Sequence, residues 1–179
     1  MLELLLSIYL GFLSVLGTAP AETGVSDPVS TSTRTSTSAG SYSAMATATA
    51  RVVRVVDGDT IDVRFSDGWE ERVRYLGIDA PEVYGRSGSE CFSDAATAAN
   101  RSLVAGEMVQ LERDDENRDP YDRLLRYVYV KDTSVNAALL GSGHARLLFI
   151  PPNTRHYGAY SDVAHAARRE ERGLWGTCR

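Results

Sequence analysis

Three runs of alternating apolar and polar residues follow one another, Ala50 to Val56, Thr60 to Phe65 and Glu70 to Leu76, with Asp57-Gly58 and Asp67-Gly68 at the turns between them. A two-residue period puts alternate side chains on opposite faces of a strand. Asp-Gly between such runs is a hairpin signal, because Gly accepts the positive φ of a tight turn. Three consecutive hairpin-linked strands make a β-meander. The period changes at Ser93 to Val104, an alanine-rich run that ends near Gly106 and reads as a helix. Glu107 to Glu112 returns to strand, Arg113 to Asp122 reads as a charged loop, and Leu124 to Lys131 alternates again as a fifth strand. Ser134 to Leu140 reads as a short helix, His144 to Ile150 as a sixth extended segment stopped by Pro151-Pro152, and Tyr157 to Glu171 as a C-terminal helix. Five short strands with a helix between the third and fourth fit an α+β fold, the five-stranded Greek-key barrel called the OB-fold, with about three helices packed at its side.

The first 47 residues have a different character. Leu4 to Leu16 is apolar but shorter than the ~20 residues of a membrane span. Ala19-Pro20-Ala21 follows as a small-residue cleavage pattern, so residues 1–21 read as a secretory signal peptide. The stretch before it carries Glu3 and no Lys or Arg, which leaves an uncleaved N-terminal anchor as the other reading, and membrane association only in that case. Residues 22–47 are Ser, Thr, Ala and Gly with almost no large apolar side chain, a composition that cannot offset its ordering entropy and reads as a disordered linker. The folded domain is expected over residues 48–179, as a secreted or extracytoplasmic monomer. Cys91 and Cys178 are too few for a zinc site built on cysteines. They permit one long-loop disulfide or two buried thiols, and the compartment decides between them. A net charge of −5 argues against a polybasic surface that coats nucleic acid. Lys131 is the only lysine among 19 basic residues. Arginine suits bidentate phosphate binding, although a compositional bias accounts equally well for most of them.

A second carboxylate, Asp59, follows the first turn directly, and Arg74-Tyr75-Leu76-Gly77-Ile78-Asp79-Ala80-Pro81-Glu82 adds an arginine and two more carboxylates at the end of the third strand. Asp59, Asp79 and Glu82 sit at or just beyond strand ends that adjacent barrel strands can bring together. Three converging carboxylates repel one another, and a cation is their natural neutraliser. With no clustered His or Cys the ligand set is all oxygen, which favours Ca²⁺ or Mg²⁺ over zinc. Arg74 on the third strand and Arg123 at the entrance to the fifth would flank that cation with two guanidinium groups. Such a site matches a phosphodiester passing through a charged, five-coordinate phosphorus. A carboxylate not fully engaged by metal can then orient or deprotonate water. The competing reading makes Asp57 and Asp59 turn residues and lets Arg74 and Arg123 pair with surface acids.

Taken in order, Val56 to Ile61, Val73 to Glu82, Asp119-Pro120-Tyr121-Asp122-Arg123 with Leu124 to Tyr129, Val135 to Leu140, and Gly173-Leu174-Trp175 resemble the staphylococcal nuclease (thermonuclease) family over essentially all of residues 50–176. The resemblance implies an OB-fold nuclease that depends on Ca²⁺ and cleaves DNA and RNA with little sequence preference, breaking the bond to the 5′ oxygen and leaving 3′-phosphate ends. Position by position it makes Asp59 and Asp79 carboxylate ligands of the calcium, with the Ala80 carbonyl as a further contact. Arg74 and Arg123 become the arginines that clamp the scissile phosphate, Glu82 the glutamate acting on the attacking water, and Tyr121 a phosphate contact. Cys91-Phe92 and Leu174 to Cys178 look like the paired cysteines of secreted members, which favours a disulfide. Where the family has Thr, Lys and Gly, this chain has Ala80, Pro120 and Asp122, and the change to Asp122 is expected to shift the turn that aims Arg123. Pro151-Pro152 stands where the family places an aromatic residue, leaving Phe149 either to stack on a base or to join the core. The reading from a different class is a non-catalytic OB-fold module that binds nucleic acid or protein.

Overall fold

The computed structural model describes residues 47–83 and 88–178. The expected signal or anchor segment and nearly all of the expected linker lie outside the described residues. Strands β1 (Thr47–Val55), β2 (Thr60–Arg64) and β3 (Glu70–Tyr75) form the meander, each antiparallel to the next. A two-residue strand β4 (Ile78–Asp79) and helix α1 (Ser93–Val104) follow, then β5 (Met108–Arg118) and β6 (Leu124–Val130). β5 pairs with β1 and with β6, and β6 returns to pair in parallel with β3, with Val73 opposite Leu124 and Arg74 opposite Leu125. That last pairing closes five strands into a barrel and leaves no free edge among them. The chain finishes with β7 (Thr133–Ser134), α2 (Val135–Gly141), β8 (Arg146–Leu147), α3 (Tyr157–Arg169) and the one-turn α4 (Leu174–Thr177). The α+β barrel with helices at its side is the architecture that the strand and helix periods imply.

Alternation explains which side chains fill the barrel. Val52, Ile61, Val63, Val73, Tyr75, Val109 and Leu111 are buried, whereas the residues between them on β2 and β3, such as Arg64, Glu70 and Arg72, face water. β5 departs from the expected pattern. It runs six residues beyond Glu112 into a stretch that its charge marks as loop. Its register against β6 shifts between Arg113 and Arg118, and the buried Asp114 within that irregularity is satisfied: the Tyr127 hydroxyl donates to its Oδ2 at 2.9 Å and the Arg155 amide does so at 3.1 Å. The segment His144 to Ile150 is mostly irregular, and only Arg146–Leu147 pair, with β4. Phe149 packs at 5.3 Å from the Tyr157 ring and 6.0 Å from the Tyr160 ring, between centroids, so its role here is in the core.

Two buried asparagines fasten the barrel to its helices. Asn136 of α2 donates to the Leu76 carbonyl at 2.8 Å and accepts from the Val128 amide at 2.9 Å. Asn100 of α1 donates to the Asp57 carbonyl at 2.8 Å and accepts from the Tyr75 hydroxyl at 3.0 Å. Each holds the end of a strand from which candidate functional residues leave.

Candidate active site

The turn after β1 is built by its own side chains. The Val56 amide donates to the Thr60 carbonyl at 3.0 Å, and the Asp57 carboxylate accepts the Asp59 amide at 3.0 Å, the local bond by which Asp shapes a turn. Gly58 differs from the sequence expectation, since it is not among the glycines with positive φ. What requires glycine there is space: a Cβ would stand 2.6 Å from the Ala80 Cβ and 2.9 Å from the Ala96 Cβ. The acidic turn is thereby pressed onto the 79–82 segment, and Asp59 Oδ2 accepts the Ala80 amide at 2.6 Å.

Arg74 joins the carboxylates. Its Nε lies 3.2 Å from Asp59 Oδ1, its Nη2 donates to Asp79 Oδ1 at 3.0 Å, and its Nη1 donates to the carbonyls of Tyr75 and Ile78, both at 2.9 Å. Asp59 is only 2% exposed. Burial pushes its carboxyl well above the usual carboxylate range; Arg74 opposes that, and the neighbouring charges of Asp57 and Asp79 add to it. Burial also raises the Glu82 carboxyl, with the charge of Asp57 next in importance. This corner thus concentrates more negative charge than one arginine neutralises. Among the described residues no three His, Cys, Asp or Glu side chains converge on one point. The oxygen groups that could hold a cation here are the carboxylates of Asp59 and Asp79, bridged by Arg74, with the Ala80 carbonyl as the further contact that the family resemblance implies. They are all hard oxygen, the set that suits Ca²⁺, and an added cation would offset the charges of Asp57 and Asp79 that add to the effect of burial on Asp59.

Arg123 arrives from the β5–β6 turn. The Asp119 side chain holds it twice and its turn once more: Oδ1 accepts the Arg123 amide and the Tyr121 amide, both at 2.9 Å, and Oδ2 accepts Arg123 Nε at 2.6 Å. Asp122 takes φ 66° and its amide donates to the Asp119 carbonyl at 3.0 Å, so the turn retains a left-handed residue without glycine. Asp tolerates that region better than most side chains, because a short polar group can bond locally. Tyr121 is 82% exposed, and the Arg123 guanidinium carbon lies 5.4 Å from its ring centroid.

Two cavities meet at this turn. One of about 520 Å³ runs between Arg74, Arg123 and Tyr121 on one side and Leu148, Ile150 and Pro151 on the other. Leu148 and Ile150 are exposed aliphatic residues that the sequence does not single out. A second, of about 750 Å³, is lined by Glu82, Tyr121 and Arg123 with Asp62 and Glu70. The structure therefore joins Asp59, Arg74, Asp79 and Ala80 by direct contacts, and sets Arg123, Tyr121 and Glu82 along the adjoining cavities. Cys91 and Cys178 form a disulfide that ties the start of α1 to the end of the chain. Sequence reasoning misses Asn100 and Asn136; their one signal is an asparagine inside a helix, where its side chain competes with the backbone.

Comparison with known proteins identifies the family. A family model described as staphylococcal nuclease homologue matches residues 72–177. The thermonuclease of Staphylococcus intermedius is 35% identical over 125 residues, 69% of this chain and 74% of that protein. The SPbeta prophage-derived endonuclease YokF of Bacillus subtilis (strain 168) is 39% identical over 127 residues, 68% of this chain and 42% of that protein. The thermonuclease of Staphylococcus hyicus is 30% identical over 128 residues, 71% of this chain and 75% of that protein. The chain belongs to the staphylococcal nuclease family.

Proposed function

We propose that the protein is a Ca²⁺-dependent nuclease that hydrolyses phosphodiester bonds of DNA and RNA with little sequence preference. Family membership and the endonuclease and thermonuclease relatives support a nuclease. The observation that carries the finer reading is Arg74. One guanidinium bridges Asp59 and Asp79 and also faces a cavity that it shares with Arg123 and Tyr121.

In this reading Asp59, Asp79 and the Ala80 carbonyl hold the cation, which when bound supplies positive charge to a phosphate oxygen. Arg74 and Arg123 bind the scissile phosphate and take up the charge that develops on its equatorial oxygens, the kind of preorganised contact that counts most in the transition state. Glu82, raised by burial and by Asp57, accepts a proton from the attacking water. Attack at phosphorus breaks the bond to the 5′ oxygen, which leaves a 5′-hydroxyl on one product and a 3′-phosphate on the other. Tyr121 presents its exposed hydroxyl to a flanking phosphate. Residues 1–21 act as a signal or anchor and residues 22–47 as a linker ahead of the nuclease domain. The disulfide supports an oxidising, extracytoplasmic setting.

Digestion of plasmid DNA and of RNA, with millimolar Ca²⁺ and with a Ca²⁺ chelator, tests the reading. Cleavage that stops in chelator and leaves ends that a 3′-phosphatase must remove before polymerase extension is expected. Cleavage unchanged in chelator contradicts the metal assignment, and directly extendable 3′ ends contradict the assignment of the bond broken.

A further inference from the structure

We propose that Arg118, held by Glu71, is a positioning residue for Arg123, acting on the peptide bond from which the Arg123 side chain leaves. The inference rests on the reading of Arg123 as a phosphate contact. Arg118 ends β5 and grips Glu71 of β3 with both arms of its fork: Nη1 donates to Oε2 at 2.9 Å and Nη2 to Oε1 at 2.6 Å. Nη1 donates as well to the Asp122 carbonyl at 2.6 Å, and Nε lies 3.4 Å from Asp122 Oδ1. Trp69 Nε1 also fixes Glu71, donating at 3.0 Å to the same Oε1 that accepts Arg118 Nη2.

The carbonyl that Arg118 holds belongs to the Asp122–Arg123 peptide. The amide of that same peptide donates to Asp119 Oδ1 at 2.9 Å. One peptide plane is thus fixed at its oxygen and at its N–H, directly after a non-glycine residue at φ 66°. Glu71 also lies on the strand that carries Arg74. The Glu71–Arg118 pair therefore sets the base of one arginine relative to the strand of the other, just ahead of the parallel register in which Val73 faces Leu124. Magnitudes favour a positioning role over a purely structural one. A partly exposed ion pair contributes little to stability, whereas a displacement of about 1 Å in a reacting group can cost about a hundredfold in rate.

The test compares steady-state DNA cleavage with Ca²⁺ by the wild type, Arg118→Met, Arg118→Lys, the double charge swap Glu71→Arg/Arg118→Glu and Arg123→Ala, with a melting curve for each. Arg118→Met is expected to lower kcat about tenfold or more, with KM within about twofold and melting close to wild type. The swap restores the ion pair and also melts close to wild type but does not recover kcat, because a carboxylate cannot donate to the Asp122 carbonyl. Arg118→Lys recovers part of kcat, since an ammonium can still donate there without the fork. Should Arg118→Met melt below the assay temperature, Arg118→Lys decides: kcat below wild type supports the proposal. Wild-type kcat in Arg118→Met or Arg118→Lys, full recovery in the swap, or a change confined to KM overturns it. Wild-type kcat in Arg123→Ala overturns the assignment of Arg123 itself. An inactive Arg123→Ala beside normal Arg118 variants overturns the positioning pair alone.

Discussion

Arg74 serves four acceptors with one guanidinium, two carboxylates and two carbonyls. A lysine supplies charge but not a planar fork. On the proposed role of Arg74 as a donor to the scissile phosphate, Arg74→Lys is therefore expected to lower the single-turnover cleavage rate by about 10²- to 10³-fold, while the protein stays folded at assay temperature. Gly58 makes a stability prediction of a different kind. Gly58→Ala places a methyl within 3 Å of both Ala80 and Ala96 and should destabilise by about 1–3 kcal/mol in denaturant unfolding. Adding Ala80→Gly removes the nearer clash and should return part of the loss. At this scale Asp59, Arg74 and Asp79 are legible in the sequence because each sits beside a turn and carries more charge than a turn needs. The reason for Gly58 is not legible. It depends on Ala80 and Ala96, which reach it only through the fold. Asn100 is equally hidden, since what makes it matter is its bond to a carbonyl 43 residues away.

The strand meander carries a charge ladder on its outer face: Arg54 and Arg72 both donate to Asp62, from β1 and β3 to β2. Burial works to raise the Asp62 carboxyl, but the hydrogen bonds from Arg72 and Arg54 outweigh it and hold it below the ordinary Asp value of 3.8. A carboxylate with a depressed value in the folded state contributes stability that is fully present above that ordinary value and is lost as pH falls through the lower, folded one. The melting temperature should accordingly fall on acidification below about pH 4, and Asp62→Asn should make that fall shallower. An identical acid profile in Asp62→Asn contradicts the ladder's role. Among the elements, β1 to β3 and α1 follow from periodicity, because each has one mainly buried face, whereas β6 keeps its alternating sequence but buries Arg126, Tyr127 and Val128 in succession. The far end of β5 does not follow from periodicity, because its charges are paired rather than solvated: Arg118 meets Glu71, 47 residues before it. Polarity by itself cannot separate a loop from a strand whose polar side chains find partners across the barrel.

Over the whole molecule, the Cys91–Cys178 bond links positions 87 residues apart and ties the chain end to the helix that carries Asn100. Replacing both with serine should lower unfolding stability by about 2–5 kcal/mol, measured in denaturant. Cleavage below the melting temperature should persist, because neither cysteine lines the cavities at the site. With a net charge of −5, the overall field does not favour a polyanion, so the proposed substrate grip rests on the local arrangement of Arg74 and Arg123. That arrangement depends on barrel closure, since Arg74 lies on β3 and Arg123 immediately precedes β6, and the parallel β3–β6 pairing joins those two strands. The most direct test of the account is the Ca²⁺ dependence of DNA cleavage by the wild type, Asp59→Asn and Asp79→Asn. Wild-type cleavage is expected to saturate with Ca²⁺ and to vanish in chelator, with Asp59→Asn inactive and Asp79→Asn needing more Ca²⁺ for half-maximal rate. Cleavage independent of Ca²⁺, or both variants matching the wild type at every Ca²⁺ concentration, would contradict the account.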